Sequence, residues 1–116
     1  MEDPKHLEMV EHLKHHLGVS DELERMVALF KALGDVNRVR IILALSQTTL
    51  SVTELTEVLD LSQSSISHQL SILKQRNLVK GTRSGKNIHY SLADQHIMSV
   101  VGLVKEHVAE NEKKND

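Results

Sequence analysis

The apolar residues of this chain keep helical spacing up to about residue 76, alternate one-in-two between Leu78 and Leu92, and then return to helical spacing. A period near 3.6 marks amphipathic helices and a period of 2 marks half-buried strands. The pattern therefore confines the chain to a mainly helical fold with one β-hairpin late in the sequence. Leu7, Val10, Leu13 and Leu17 predict a first helix that stops at Gly18. Ser20 is placed to cap a second, with Leu23, Met26, Val27 and Phe30 on one face and Gly34 at its end. Asp35 caps a third, with Val36, Val39, Ile42, Leu43 and Leu45 turned inward.

Ser51 followed three residues later by Glu54 is a capping box, opening a short helix with Leu55, Val58 and Leu59 as its apolar face. A tight turn at Asp60-Leu61 leads to Ser62, the cap of a helix over 62–76 with Ile66, Leu70 and Leu73 as its stripe. Two short helices joined this way have the form of a helix-turn-helix. The segment 78–92 reads as a hairpin or wing turning at Ser84-Gly85, where Ile88, Tyr90 and Leu92 alternate with Asn87, His89 and Ser91. A last helix spans 94–110, and the polar tail 111–116 is expected to fray. No repeat or linker divides residues 1–116, so one domain is expected. Phe30 and Tyr90 are the only aromatic residues, so the core must be aliphatic.

The chain has no cysteine, which removes disulfides, thiolate metal sites and cysteine nucleophiles together. The start, Met1-Glu2-Asp3-Pro4, is acidic and unlike a signal peptide. The uncharged runs Ile41 to Thr53 and Leu61 to Leu73 are too short and polar to span a bilayer. A cytoplasmic protein without membrane association is expected.

A net charge of −2 looks unsuited to nucleic acid, but the distribution is uneven. From Leu61 to Ala93 there is no Asp or Glu, while Lys74, Arg76, Lys80, Arg83 and Lys86 give a local +5. A polyanion responds to such a patch more than to the average. Within it, Ser62, Gln63, Ser64, Ser65, Ser67 and His68 offer small hydroxyls, an amide and an imidazole from the start of the 62–76 helix. Glutamine can bridge adenine N6 and N7, and serine can bond base edges or phosphate. Arg83 and Lys86 at the hairpin tip suit phosphate or the neighbouring minor groove. The competing reading is a polar, solvated helix face.

The last helix carries Asp94, His96, His107 and Glu110, all good oxygen or nitrogen ligands for Zn²⁺. Eleven residues of helix between His96 and His107 span about 16 Å, too far for one ion. The two pairs can meet if two copies of the helix cross antiparallel, giving two identical sites across a two-fold axis. Ile97, Val100, Val101, Val104 and Val108 form a seam for such a crossing. Gly102, which costs about 1 kcal/mol inside a helix, would admit a second backbone. Singly, Asp94 reads as an N-cap, the histidines as surface residues and Glu110 as a solvated charge. His6, His12, His15 and His16 on the first helix are either an accessory metal site or a solvated face.

The run Phe30-Lys31-Ala32-Leu33-Gly34-Asp35 through Asn37-Arg38-Val39-Arg40-Ile41 resembles the entry helix of the ArsR/SmtB family of metal-sensing repressors. Leu61 to Leu70 is similar to that family's recognition helix, and Asp94, His96, His107 and Glu110 resemble the signature of its zinc-sensing branch. The resemblance implies a winged helix-turn-helix homodimer joined through its first and last helices. It also implies a repressor that binds an inverted-repeat operator in double-stranded DNA and is released by metal. The metal implied is Zn²⁺, with Co²⁺ or Ni²⁺ as the alternative. The resemblance suggests a main-chain carbonyl between His68 and Leu70 as the hydrogen-bond partner of the non-ligating nitrogen of His107. Thiolate sensing of arsenic, cadmium or lead does not fit a chain without cysteine. A winged-helix protein-interaction module is the other class of function. An enzyme is not expected, because four protein ligands leave no open coordination position and no nucleophile motif or small-molecule substrate site is evident.

Overall fold

The computed structural model describes residues 3–114. Six helices and three short strands follow in the order α1 (Pro4–His16), α2 (Asp21–Leu33), α3 (Val36–Leu45), β1 (Leu50–Ser51), α4 (Val52–Leu59), α5 (Gln63–Gln75), β2 (Val79–Ser84), β3 (Asn87–Leu92) and α6 (Gln95–Lys114). The expected caps form. Ser20 accepts from the Leu23 amide, Asp35 from Arg38, and Ser62 from Ser65. Both halves of the Ser51–Glu54 capping box are made. Asp60 takes a left-handed conformation, φ 55, so the chain turns between α4 and α5 within two residues. Aspartate tolerates that region because its short side chain can bond locally.

The strands form one antiparallel sheet in the order β1-β3-β2. Strand β1 was not evident in the sequence, since two residues carry no periodicity; it pairs Leu50 with Tyr90 and Ser51 with His89. The hairpin turn sits one residue later than expected. Ser84 pairs with Asn87, leaving Gly85-Lys86 as the loop, with Gly85 at φ +63. At Gly81 a Cβ would stand 2.9 Å from the Ile88 side chain and 3.2 Å from the Tyr90 ring, so glycine is what lets those side chains cross strand β2.

The core is aliphatic. Ile41, Ile42, Leu55, Ile66, Leu73 and Leu78 are fully enclosed between α3, α4, α5 and the sheet. Two inward assignments are corrected. Val36 and Val58 face outward, 75% and 60% exposed, while Ile41 takes an inward place on α3. Val36 opens its helix immediately after the cap, before the turn that packs.

Helix α1 stands apart from this core, and α6 packs against it through Ile97 and Val101 near its start. No residue of α1 is buried. Helix α6 continues to Lys114, beyond the expected end at 110, so residues 111–114 are helical; residues 115 and 116 of the expected frayed tail lie outside the described residues. The radius of gyration is 19.2 Å, against about 13 Å for a compact chain of this length. No helix among the described residues is long and apolar enough to cross a membrane.

Candidate functional site

The DNA-facing candidates gather on one side. Helix α5 turns Ile66, Leu70 and Leu73 into the core, which leaves Ser62, Gln63, Ser64, Ser67 and His68 exposed on the opposite face. Ser65 is half-buried. The Ser62 hydroxyl is committed to the cap and lies 3.2 Å from Ser64 Oγ. Arg83, at the end of β2, and Lys86, in the loop, are exposed at the wing tip. The N-terminus of α5 adds backbone N–H groups and the positive end of the helix dipole, both suited to phosphate. This is a shallow, hydroxyl-rich, acid-free face flanked by a cationic loop.

The metal candidates fall into two groups. Asp94 caps α6, its Oδ1 accepting from the His96 amide at 2.8 Å and the Ile97 amide at 3.3 Å. The same oxygen lies 3.4 Å from His96 Nδ1, on side chains that are largely solvent-exposed. The capping reading of Asp94 is thus realised, and all three contacts use one oxygen. Asp94 and His96 open into a groove shared with Arg25 of α2 and with Arg76 and Asn77 at the end of α5. The Asp94–His96 pair therefore borders the C-terminus of α5.

His107 and Glu110 lie farther along α6 and are exposed. His107 Nε2 accepts from the Asn111 amide at 3.2 Å, since that Nδ2 can only donate. The bond expected from His107 to a carbonyl between His68 and Leu70 is not made among the described residues; the Asn111 amide, one turn away, instead occupies the Nε2 lone pair. Among the described residues no three His, Cys, Asp or Glu side chains surround one point. The donors present, two carboxylates and two imidazoles, fit a borderline ion such as Zn²⁺ and equally Co²⁺ or Ni²⁺.

The seam on α6 is divided. Ile97 and Val101 pack against the core of their own chain. Val100, Val104 and Val108, joined by Met98 and Leu103, are exposed. A Cβ added at Gly102 would meet nothing within 4 Å, so the space beside that glycine is open in one chain.

Residues 35–80 match the bacterial regulatory proteins of the arsR family. A transcriptional repressor SmtB homolog from Synechocystis is 38% identical over 107 residues, covering 92% of this chain and 81% of that protein. A cadmium resistance transcriptional regulatory protein, a CadC homolog from Staphylococcus aureus, is 32% identical over 97 residues, covering 83% of this chain and 79% of its own length. A homodimeric winged helix-turn-helix DNA-binding domain from Mycobacterium bovis superposes with a TM-score of 0.74 at 26% identity, covering 80% of this chain and 90% of that one. This chain belongs to the arsR family. It is accordingly a winged helix-turn-helix DNA-binding transcriptional regulator and not an enzyme.

Within this ArsR-family fold the structure adds two residues that sequence reasoning left unassigned. Arg38 of α3 donates from Nε to the Ala32 carbonyl at 2.5 Å, from Nη2 to the Lys31 carbonyl at 3.5 Å, and from Nη1 to Gln69 Oε1 of α5 at 3.0 Å. One guanidinium thus closes the C-terminus of α2 and fixes the recognition helix against it. Gln69, which its sequence position groups with the polar residues facing the groove, has its Oε1 engaged by Arg38 and tethers α5 to α3. Arg40 does the same for α4, donating to the Leu59 carbonyl at 2.7 Å. The signal available in the sequence was two arginines in the first turns of an otherwise apolar helix, where solvation alone would not require them.

Proposed function

We propose that this ArsR-family regulator is a homodimeric, metal-responsive repressor. It binds an inverted-repeat operator through α5 and the wing, and it leaves DNA when zinc occupies sites shared between the two last helices. The observation that carries this reading is the arrangement on α6. An Asp94–His96 pair sits on its first turn, His107 and Glu110 lie three turns away, and an exposed stripe of Val100, Val104 and Val108 runs between them. Asp94 and His96 of one copy, with His107 and Glu110 of a second, would hold the ion; when bound it supplies cross-linking between two helices otherwise joined by apolar contact alone. The naming of one relative as a transcriptional repressor and of another as a cadmium resistance regulator supports metal response. Absence of cysteine favours zinc over a thiolate-bound ion.

The reading heads are two copies of α5, and an operator fixes their separation. Metal can loosen DNA only by favouring a dimer shape that fits the operator poorly. The groove linking Asp94 and His96 to Arg76 and Asn77 gives such a shape change a short route to α5. The coupling is reciprocal, so operator DNA must weaken zinc binding by the same factor.

The test is fluorescence anisotropy of a labelled fragment of the regulator's own promoter region. Tight binding in chelator should fall at least tenfold with zinc, and His96→Ala should keep binding in zinc. Replacing zinc by cobalt or nickel ranks the ions. Binding tightened by zinc would make the protein a co-repressed regulator. No binding in either state would move it to the interaction-module class.

A further inference from the structure

The described surface holds a second group of imidazoles, on α1. His12 and His16 are one turn apart with ring centroids 4.0 Å from each other and planes inclined by 31°. His16 Nδ1 lies 2.8 Å from the His12 main-chain carbonyl. A carbonyl can only accept, so Nδ1 carries the proton and His16 Nε2 keeps its lone pair. That is the arrangement metal-binding histidines commonly need: one ring nitrogen anchored to a carbonyl, the other free to ligate. Donors to one ion at Zn–N distances near 2 Å stand about 3–3.5 Å apart. The two rings sit one helical turn apart with centroids 4.0 Å from each other and tilted by 31°, so both side chains reach the same point in space, and rotation about their χ angles turns the two lone pairs onto one ion. His15 does not share the arrangement, because its ring stands edge-on to His16 at 5.1 Å and 79°.

We propose that His12 and His16 form an open two-imidazole clip for a late first-row divalent cation, independent of the α6 donors. No third donor completes it, since no trio of His, Cys, Asp or Glu is assembled among the described residues; water fills the other positions, and binding is weaker than at a four-ligand site. The clip stays accessible in a dimer. At about 100° per residue, His12 and His16 lie roughly 115–155° around α1 from the centre of the Leu7, Val10, Leu13 and Leu17 stripe. A partner that covers the stripe leaves the two imidazoles in solvent. His6 falls on the stripe side and takes no part.

The test is a zinc titration of the full-length chain by competition with a chromophoric chelator, with helicity followed in the far ultraviolet. The wild-type chain should bind two ions in two affinity classes, and the His96→Ala/His107→Ala chain should keep only the weaker. Adding His12→Ala/His16→Ala should remove that class, or lower its affinity at least tenfold, and remove the gain in helicity that an ion bridging two turns produces. His15→Ala should leave both unchanged. A weaker class that survives His12→Ala/His16→Ala, or that His15→Ala abolishes as completely, overturns the proposal. Failure of the α6 reading looks different: the tighter class would be missing from the wild-type chain while the His12-dependent one persists.

Discussion

The DNA-reading half of the molecule and its outer helices use the same aliphatic residues to opposite ends. Between α3, α4, α5 and the sheet, Ile41, Leu55, Ile66 and Leu73 are completely enclosed by one chain. On α1 and α6, residues of the same kind point into solvent, Leu7 at 49% and Leu103 at 65% exposure. Monomeric proteins rarely leave contiguous apolar faces of this kind uncovered. Under the proposed function the difference separates two tasks: one chain is enough to build the surface that faces DNA, and a second copy would cover the outer helices, α6 with its proposed metal donors among them.

The strongest way to break this contrast is a pair of substitutions, one in each half. Ile66→Ala should cost about 2–5 kcal/mol, as deletions of enclosed aliphatic side chains do, and the loss should appear at every protein concentration. Val104→Asp should leave the reading half folded but give a monomer by sedimentation, with operator affinity down at least a hundredfold. A dimer that survives Val104→Asp together with Val108→Asp would refute the assignment of α6 to the interface.

A smaller effect tests how the halves communicate. Arg38 joins the α2 C-terminus to Gln69, and hydrogen bonds from a charged donor are worth about 1.5–3 kcal/mol. Lysine keeps the charge without the fork. Arg38→Lys should therefore weaken operator binding roughly tenfold while zinc affinity, read by indicator competition, stays within twofold. Unchanged operator affinity would reduce Arg38 to a helix cap.

How much of this could be read from the sequence follows the range of the interaction concerned. The caps at Ser20, Asp35, Ser51 and Ser62 were legible because each is a contact over two or three residues, and all four form. The α5 stripe was legible because one face of a single helix meets the core. Val58 was misplaced because apolar spacing tells which residues share a face and not how far the core extends along it; α4 is short, and it buries Leu55 and Leu59 with Val52 packed beside them. Strand β1 and the Arg38–Gln69 bond depend on partners 31 or more residues away, which no local pattern encodes. The proposed α6 donors rest on residue types at a spacing that cannot close on one helix, which is why they call for a second copy.

The smallest expected effect lies in the reading half, at the capping box. Hydrogen bonds from the Ser51 amide, and then from its hydroxyl, hold the Glu54 carboxyl below its usual 4.5; desolvation opposes them slightly, and the charge of His89, whose backbone pairs with Ser51, adds least. A carboxylate whose folded pKa is depressed stabilises the fold above its unfolded pKa and loses that contribution as pH falls through the folded value. Glutamine at the same position can still reach back to the Ser51 amide, so Glu54→Gln removes the charge and keeps the cap. In denaturant unfolding the wild type should be the more stable chain at pH 6–7, and the gap should close as pH drops below about 4.5. The gap should also narrow in high salt, because the charge acts on an exposed helix N-terminus. A gap that stays constant from pH 7 to 3 would mean that the box acts through its geometry alone, and that the charge at the entrance to the helix-turn-helix contributes nothing.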